Sequence, residues 1–390
     1  MRVHSPASEG TGLSPASIPL ALYIHLPWCV RKCPYCDFNS HTTDTLPEAA
    51  YVDALLRDLD ADLVWFAGRP LQSIFFGGGT PSLFSGSAIR RLLEGVAARA
   101  ALAPDIEITL EANPGTVDEA HFAAYREAGV NRLSLGIQSL QDDALTRLGR
   151  VHGAADARRA VDVARRTGFD NLNLDLMYGL PAQTPGAMLA DLHDVLALEP
   201  THLSWYQLTL EPGTVFARRP PALPPADGIA DEAEAGLEVL ARAGFHRYEV
   251  SAYARAGALC RHNLNYWQFG DYAGVGAGAH GKFTTPEGIL RTRKRIHPQA
   301  YLKEAGAGAR ELTPVGQEDL VIEFMLNASR LSAGFELAWF TLRTGLPVRA
   351  LEPGLSEAHR RGWLQLADEK IVPTAAGYRF LNDLQLLFLP

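Results

Sequence analysis

Three of the chain's four cysteines fall within eight residues, in Cys29-Val-Arg-Lys-Cys33-Pro-Tyr-Cys36, spaced C-x3-C-x2-C. Thiolates are soft ligands and suit iron–sulfur clusters. A fully protein-ligated [4Fe-4S] cluster takes four cysteines, so three close thiols leave one iron free to accept an external chelate. A structural zinc site is the rival chemistry, with His25 or His41 as the fourth ligand. A disulfide framework does not fit, because it would spread more cysteines over a shorter chain.

A second group of residues could bind a small polar ligand. Gly77-Gly78-Gly79-Thr80-Pro81-Ser82 would let the backbone approach a ligand closely. Glu111 in EANPG, Gln138 in GIQS, Arg150 in RLGR and Asp175 in NLDLMYGLP offer carboxylate, amide and guanidinium groups, and Tyr23 lies six residues before Cys29. Carboxylates accept from hydroxyls or ammonium, and arginine pairs with a carboxylate. Taken singly, each is equally a rim ion pair or a helix cap.

A third group is His262-Asn263-Leu264-Asn265-Tyr266-Trp267. Imidazole is a common axial ligand for haem iron, and Tyr266 and Trp267 carry flat faces suited to a porphyrin. A hydrogen-bonded structural histidine beside two core aromatics is the plainer alternative. Cys260, two residues earlier, reads as a buried small side chain. His280, in GAGAHGK, is placed in a Gly-rich loop that can face the interior. Arg291, Arg293, Lys294 and Arg295 read as a solvated basic face.

The elements that must position these groups alternate. Residues 21–26, 71–76, 105–111, 131–137, 171–177 and 202–208 are short apolar runs, as buried parallel strands are. Helical patterns lie between them at 48–66, 87–101, 118–128, 154–167 and 185–198. Six successive βα units predict an α/β fold built on a parallel sheet with right-handed crossovers, a barrel or a partial (β/α)6 barrel. The cysteine loop follows the first strand, at the end where parallel α/β folds place chemistry. Residues 1–18 read as a mobile N-terminal extension, 19–225 as the barrel, and 226–312 as a connecting region carrying HNLNYW. Residues 313–390 read as a mostly helical, winged-helix-like module, closing on a short packing helix at LNDLQLLFLP.

The chain has 390 residues, 47% hydrophobic and 21% charged, enough for a sizeable core. Its net charge of −8 gives nucleic-acid binding no support. No apolar run reaches the roughly 18 residues of a membrane helix, and no signal-peptide core appears. The expected location is the cytoplasm.

The cysteine spacing after a first strand, with Tyr35 before the last thiol, resembles the radical S-adenosylmethionine (SAM) signature. The resemblance implies a [4Fe-4S] cluster on Cys29, Cys33 and Cys36, SAM on the open iron, and cleavage of SAM to a 5′-deoxyadenosyl radical. It also implies SAM contacts at Gly78, Gly79, Thr80, Tyr23, Glu111, Gln138, Arg150 and Asp175. From about residue 20 to 390 the chain resembles the HemN/HemW group. HemN proteins are oxygen-independent coproporphyrinogen III oxidases. HemW proteins are haem chaperones that deliver haem to haem-dependent membrane enzymes, such as respiratory ones.

Three features resemble the HemW branch. Phe38 stands where HemN carries a fourth cysteine, H-N-x-x-Y-W is present, and only 28 residues precede Cys29. The resemblance therefore implies haem as cargo at His262, Tyr266 and Trp267, and haem-accepting proteins as partners. It leaves room for a homodimer and for peripheral membrane association. The oxidase, or a radical SAM enzyme acting on another substrate, remains the alternative, so catalysis itself stays open.

Overall fold

The structure is a computed structural model and describes residues 12–367 and 369–390. The six apolar runs fold as β1 (Leu20–Leu26), β2 (Leu71–Gly78), β3 (Leu102–Ala112), β4 (Arg132–Gln138), β5 (Leu172–Tyr178) and β6 (His202–Gln207). Each is hydrogen-bonded in parallel to the next in chain order. The chain returns between them through α1 (Glu48–Asp62), α2 (Gly86–Ala97), α3 (Glu119–Ala128), α4 (Ala154–Arg166) and α5 (Pro185–Leu196). Six of the seven residues of β1 are buried, as expected of a strand covered on both faces. Local signals agree with the tertiary ones: Ser85 and Asp118 cap α2 and α3, and Gly129 ends α3 at φ 109°.

The sheet continues past six strands. Beyond β6 lie β7 (His246–Arg247) and β8 (Ala252–Ala254), after α6 (Ala226–Arg242). On the other side, β9 (Asp271–Val275) runs parallel to β1 and leads into an antiparallel meander of β10 (His280–Thr285), β11 (Gly288–Lys294) and β12 (Arg310–Pro314). The order is β12-β11-β10-β9-β1-β2-β3-β4-β5-β6-β8-β7, and among the described residues its two ends are not paired, so the barrel is partial. Residues 226–312 thus contribute strands to the main sheet as well as the helix α7 (Arg261–Trp267).

Glycines conceal β9 and β10 from a reading based on apolar pattern. A Cβ on Gly274 would stand 1.8 Å from the carbonyl oxygen of His280, so the close approach of these strands requires glycine.

The basic run on β11 differs from the solvated face expected of it. Lys294 is buried, with its ammonium 2.5 Å from Asp58 Oδ1 and 2.8 Å from Asp62 Oδ2 on α1. Arg310 reaches Asp62 at 2.7 Å from β12. Only Arg293 and Arg295 extend largely into solvent, while Arg291 bonds Tyr272 and Glu323. Carboxylates more than 200 residues away in sequence draw Lys294 inward.

Part of the expected mobile extension, residues 1–11, lies outside the described residues. Within residues 12–18, Leu13 and Ile18 are buried while Gly12, Ser14, Ala16 and Ser17 are exposed, and Arg69 donates to the Ile18 carbonyl at 3.0 Å. At the other end, α8 (Leu320–Ala328), α9 (Leu337–Thr344) and α10 (Gly354–Arg360) pack with a small antiparallel sheet. Its strands β13 (Phe335–Glu336), β14 (Leu364–Ala367) and β15 (Lys370–Pro373) stand in the order β13-β15-β14. Phe324, Phe335, Phe340 and Leu384 form this module's core, which meets the barrel sheet through Phe269 and Ile289. Among the described residues, no helix is long and apolar enough to cross a membrane.

Candidate cluster and cofactor site

The carboxyl ends of the parallel strands open into a cavity of about 490 Å³. Cys29, Cys33 and Cys36 line it, together with Gly78, Gly79, Thr80, Glu111, Gln138, Arg150 and Asp175. Residues from five separate strand ends and loops therefore converge on one space.

The cysteine loop leaves β1 as a short extended piece, Trp28–Cys29, paired in parallel with His41–Thr42. Arg31 donates to the carbonyls of Gly149 and Arg150, at 2.5 and 3.0 Å, and ties the loop to the one after β4. Asn39 donates to Ala277 and Ile296, at 2.9 and 2.8 Å, and ties it to the Gly-rich segment after β9 and to the turn after β11. Thr80 Oγ1 donates to Cys29 Sγ at 3.4 Å, and Arg150 Nη1 to Cys33 Sγ at 3.6 Å. Burial pushes the Cys29 and Cys36 thiols up, partly offset by hydrogen bonds that favour the thiolate.

The thiols face one cavity but are not drawn into a tight cage: among the described residues no three Cys, His, Asp or Glu side chains form a metal-ready group. The nearby imidazoles are engaged elsewhere. His25 meets the Tyr23 hydroxyl at 3.0 Å and the Asn39 carbonyl at 2.8 Å, and His41 meets Asn39 Oδ1 at 2.9 Å. This geometry does not favour the zinc alternative. A cluster with an open iron fits the donor set: three soft thiols border a cavity large enough for a further ligand. Arg150 Nε is buried there and has no hydrogen-bond partner among the described residues.

The glycine loop is shaped by close contacts. A Cβ on Gly79 would stand 2.5 Å from the Trp28 carbonyl oxygen, and one on Gly78, at φ 114°, would stand 2.5 Å from the His25 ring. The Gly78 amide donates to Glu111 Oε2 at 3.3 Å. Burial, then the nearby Asp175, pushes the Glu111 carboxyl up to about 8, so it holds a proton at neutral pH. Asp175 is raised by burial, while bonds from Asn173 at 2.8 Å and Ser134 at 3.4 Å favour its charged form. Gln138 adopts φ 69° and accepts from the Tyr206 hydroxyl at 2.9 Å.

Ser134, Ser204 and Tyr206 also line the cavity and were not singled out from sequence. A signal for them existed. Residues two apart on a strand share a face, so Gln138 implicates Gly136 and Ser134 on β4. Tyr206 and Ser204 share a face of β6 in the same way.

Tyr23 borders an adjoining cavity of about 590 Å³ instead, with His25, Phe38, Tyr266, Tyr272 and His280. The two cavities share Asp37, Phe38, Gly78 and Glu111. Of the H-N-x-x-Y-W residues proposed for haem, only Tyr266 lines this space. His262 is 2% exposed, and both ring nitrogens are bonded, to Ser73 Oγ and to the Tyr266 hydroxyl, each at 3.0 Å. It stacks on Phe75 with centroids 5.0 Å apart, and burial pushes its imidazole down to about 3. The Trp267 ring lies under Arg330 at 4.2 Å. Cys260 is buried, and its thiol meets Glu107 at 3.5 Å. Glu107 also accepts from the Arg261 and His262 amides, satisfying the start of α7.

A partial barrel with three thiols and a glycine loop around one mouth defines a radical SAM protein. Residues 23–195 match the radical SAM superfamily, and 315–380 match the HemN C-terminal domain. The chain is 50% identical over 373 residues to the heme chaperone HemW of Escherichia coli (strain K12), covering 95% of this chain and 98% of that one. It is 48% identical over 377 residues to HemW of Haemophilus influenzae (strain ATCC 51907 / DSM 11121 / KW20 / Rd), with the same shares covered. Among solved structures, coproporphyrinogen III oxidase HemN from Escherichia coli has a TM-score of 0.80 at 22% identity, over 97% of this chain and 91% of that one. That likeness shows the fold. Identity of half the residues over nearly the whole length places the chain in the HemW family of radical SAM proteins.

Proposed function

We propose that this chain is a haem chaperone: it holds a [4Fe-4S] cluster and SAM, binds haem as cargo, and passes it to haem-dependent proteins, respiratory membrane enzymes among them. The observation that carries the proposal is the near-full-length identity to proteins named heme chaperones. Phe38 adds to it. It stands at the position where the oxidase branch has a further cysteine, and its half-exposed ring borders both cavities.

Cys29, Cys33 and Cys36 would hold the cluster, which when bound supplies an electron to SAM chemistry. Gly78, Gly79 and Thr80 would offer backbone and hydroxyl groups to SAM. Glu111, Gln138, Arg150 and Asp175 would orient it, with Tyr23 supporting from the adjoining cavity. His262, Tyr266 and Trp267 would together contribute to holding haem, Tyr266 from the wall of the adjoining cavity. The cytoplasm is the proposed location, with delivery at the membrane by transient contact, as a monomer or homodimer.

The test is an anaerobic titration of the cluster-reconstituted protein with haemin, followed by absorption spectroscopy. Saturable binding near one haem per chain supports the chaperone. Absence of saturable binding would sink it, and coproporphyrinogen III turnover would then be the next assay.

A further inference from the structure

Asp175 stands at the end of a chain of hydrogen bonds that starts outside the parallel strands. Asn173, on the same face of β5, donates from Nδ2 to Asp175 Oδ1 at 2.8 Å and to Ser134 Oγ at 2.7 Å. Ser134, on β4, donates in turn to Asp175 Oδ2 at 3.4 Å. With both amide hydrogens so placed, Asn173 Oδ1 is the acceptor for His202 Nδ1 at 2.6 Å and for Ser204 Oγ at 3.1 Å, both on β6. His202 therefore carries its proton on Nδ1, which leaves Nε2 to accept from the Tyr248 hydroxyl at 2.8 Å. Tyr248 follows β7, and its ring meets His202 edge to face. Burial, then the charge of Arg132, keeps this imidazole neutral.

Every donor in the chain is directed toward the carboxylate. The chain orients and does not conduct, because an amide cannot take a proton on oxygen and release one from nitrogen without becoming an imidic acid. Ser134, Asn173, His202 and Tyr248 are all buried. In that setting hydrogen bonds reinforce one another, and a missing partner is costly.

The two carboxylates of the cavity are thus held differently. Among the described residues Glu111 accepts only the Gly78 amide, at 3.3 Å. Asp175 receives both Asn173 and Ser134, and Arg132, on the same face of β4 as Ser134, favours its charged form. A carboxylate has room for about four donors, so these two leave Asp175 with acceptor capacity in the cavity that it lines.

We propose that Asn173, His202 and Tyr248 are positioning residues of the SAM site: they hold the Asp175 carboxylate facing the cavity, where it accepts from the ligand's hydroxyl or ammonium groups. The inference rests on the SAM binding proposed above and carries it to residues that do not themselves touch the ligand.

The experiment measures SAM affinity by equilibrium dialysis on the full-length protein after anaerobic cluster reconstitution, together with iron content and Tm. Asn173→Leu keeps the size and removes the hydrogen bonds, and should weaken SAM binding by roughly tenfold at unchanged iron content. Asp175→Asn should also weaken it. Adding Asn173→Leu to Asp175→Asn should then cost less than about threefold more, because the group through which Asn173 acts is already gone. His202→Leu should weaken binding. His202→Asn, whose amide can donate to Asn173 from the place of Nδ1, should bring affinity back to within about threefold of wild type. A merely structural role would give losses that add and that His202→Asn does not recover.

Wild-type affinity in Asn173→Leu and His202→Leu would overturn the network, as would equal losses from Asn173→Leu with and without Asp175→Asn, or no recovery in His202→Asn. Should Asn173→Leu fail to fold, the two His202 variants decide the question. A wild type that takes up its cluster but binds no SAM would overturn the SAM site itself and the network with it.

Discussion

His262 Nε2 stands 3.0 Å from the Tyr266 hydroxyl, one turn along α7, while Nδ1 stands 3.0 Å from Ser73 on β2. The imidazole thus fastens the helix beneath the barrel to the sheet. His262→Ala would leave a cavity and two enclosed hydroxyls without partners. A loss of about 3 kcal/mol is expected. Urea unfolding of the apo-protein measures it. A change below about 1 kcal/mol would remove the fastening role.

Three enclosed histidines make the fold sensitive to acid. Burial pushes His262 down to about 3 and His152 to about 4, and holds His202 well below its usual value. In the unfolded chain these groups take up protons near pH 6.5, whereas in the folded chain they stay neutral until far lower. Between those values the unfolded state binds more protons, so stability is retained above pH 6.5 and falls as pH drops below it. The apo-protein Tm should decline from pH 6.5 toward 4. His262→Gln, which removes one titrating group, should flatten the decline even if it lowers Tm throughout. An unaltered slope would exclude His262 as a contributor.

Glu111 shifts in the opposite sense. Its carboxyl is raised to about 8, so its stabilising contribution is present below the unfolded value near 4.5 and lost as pH rises through about 8. A cationic ligand beside it would favour the ionised form. SAM binding at pH 7 should therefore release a proton, visible in calorimetry as a heat that depends on the buffer's ionisation enthalpy. Glu111→Gln should abolish most of that dependence. Equal proton release in both proteins would place the titrating group elsewhere.

The six barrel strands and the cysteine loop were legible because their signals are local: apolar runs, helical periodicity and a close thiol spacing. The meander from β9 to β12 was not, since Gly274, Gly276 and Gly278 are present to admit other backbone and side-chain atoms, and that requirement appears only in three dimensions. His262 misleads for a related reason. Its type suits a metal, but Ser73, which occupies its Nδ1, is 189 residues away in sequence. His280 was visible only as a histidine in a Gly-rich loop. Its place beside Tyr266 and Tyr272 depends on β9 joining the far side of β1.

Lys294 shows how strongly such distant partners act. Its ammonium is enclosed with Asp58 and Asp62, and the Tyr301 hydroxyl donates to Asp58 at 2.8 Å. Lys294→Met would leave two buried carboxylates with less positive charge between them. Breaking one side of a buried ion pair typically costs about 3–5 kcal/mol. Chemical denaturation should show a loss of that order, partly recovered in Lys294→Met combined with Asp58→Asn. Arg295→Met, at an exposed site one residue past the end of the same strand, should change stability by less than about 0.5 kcal/mol. Equal effects at the two positions would contradict the burial of Lys294.

Cys33 separates ligation from folding. Its thiol is partly exposed and takes only a long contact from Arg150, so Cys33→Ala removes little packing. With two thiols left, the cluster loses a third of its protein ligands. Iron and sulfide should fall from about four of each per chain toward zero after anaerobic reconstitution. The far-ultraviolet circular dichroism of the apo-protein should stay unchanged, because α1 to α5 and the parallel sheet do not depend on this side chain. Cys260→Ala is the control. That thiol is buried against Glu107, away from the cavity, and its loss should leave iron content at the wild-type level. Full iron and sulfide in Cys33→Ala would refute the three-cysteine cluster. Loss of iron in Cys260→Ala at unchanged stability would instead bring the fourth cysteine into it.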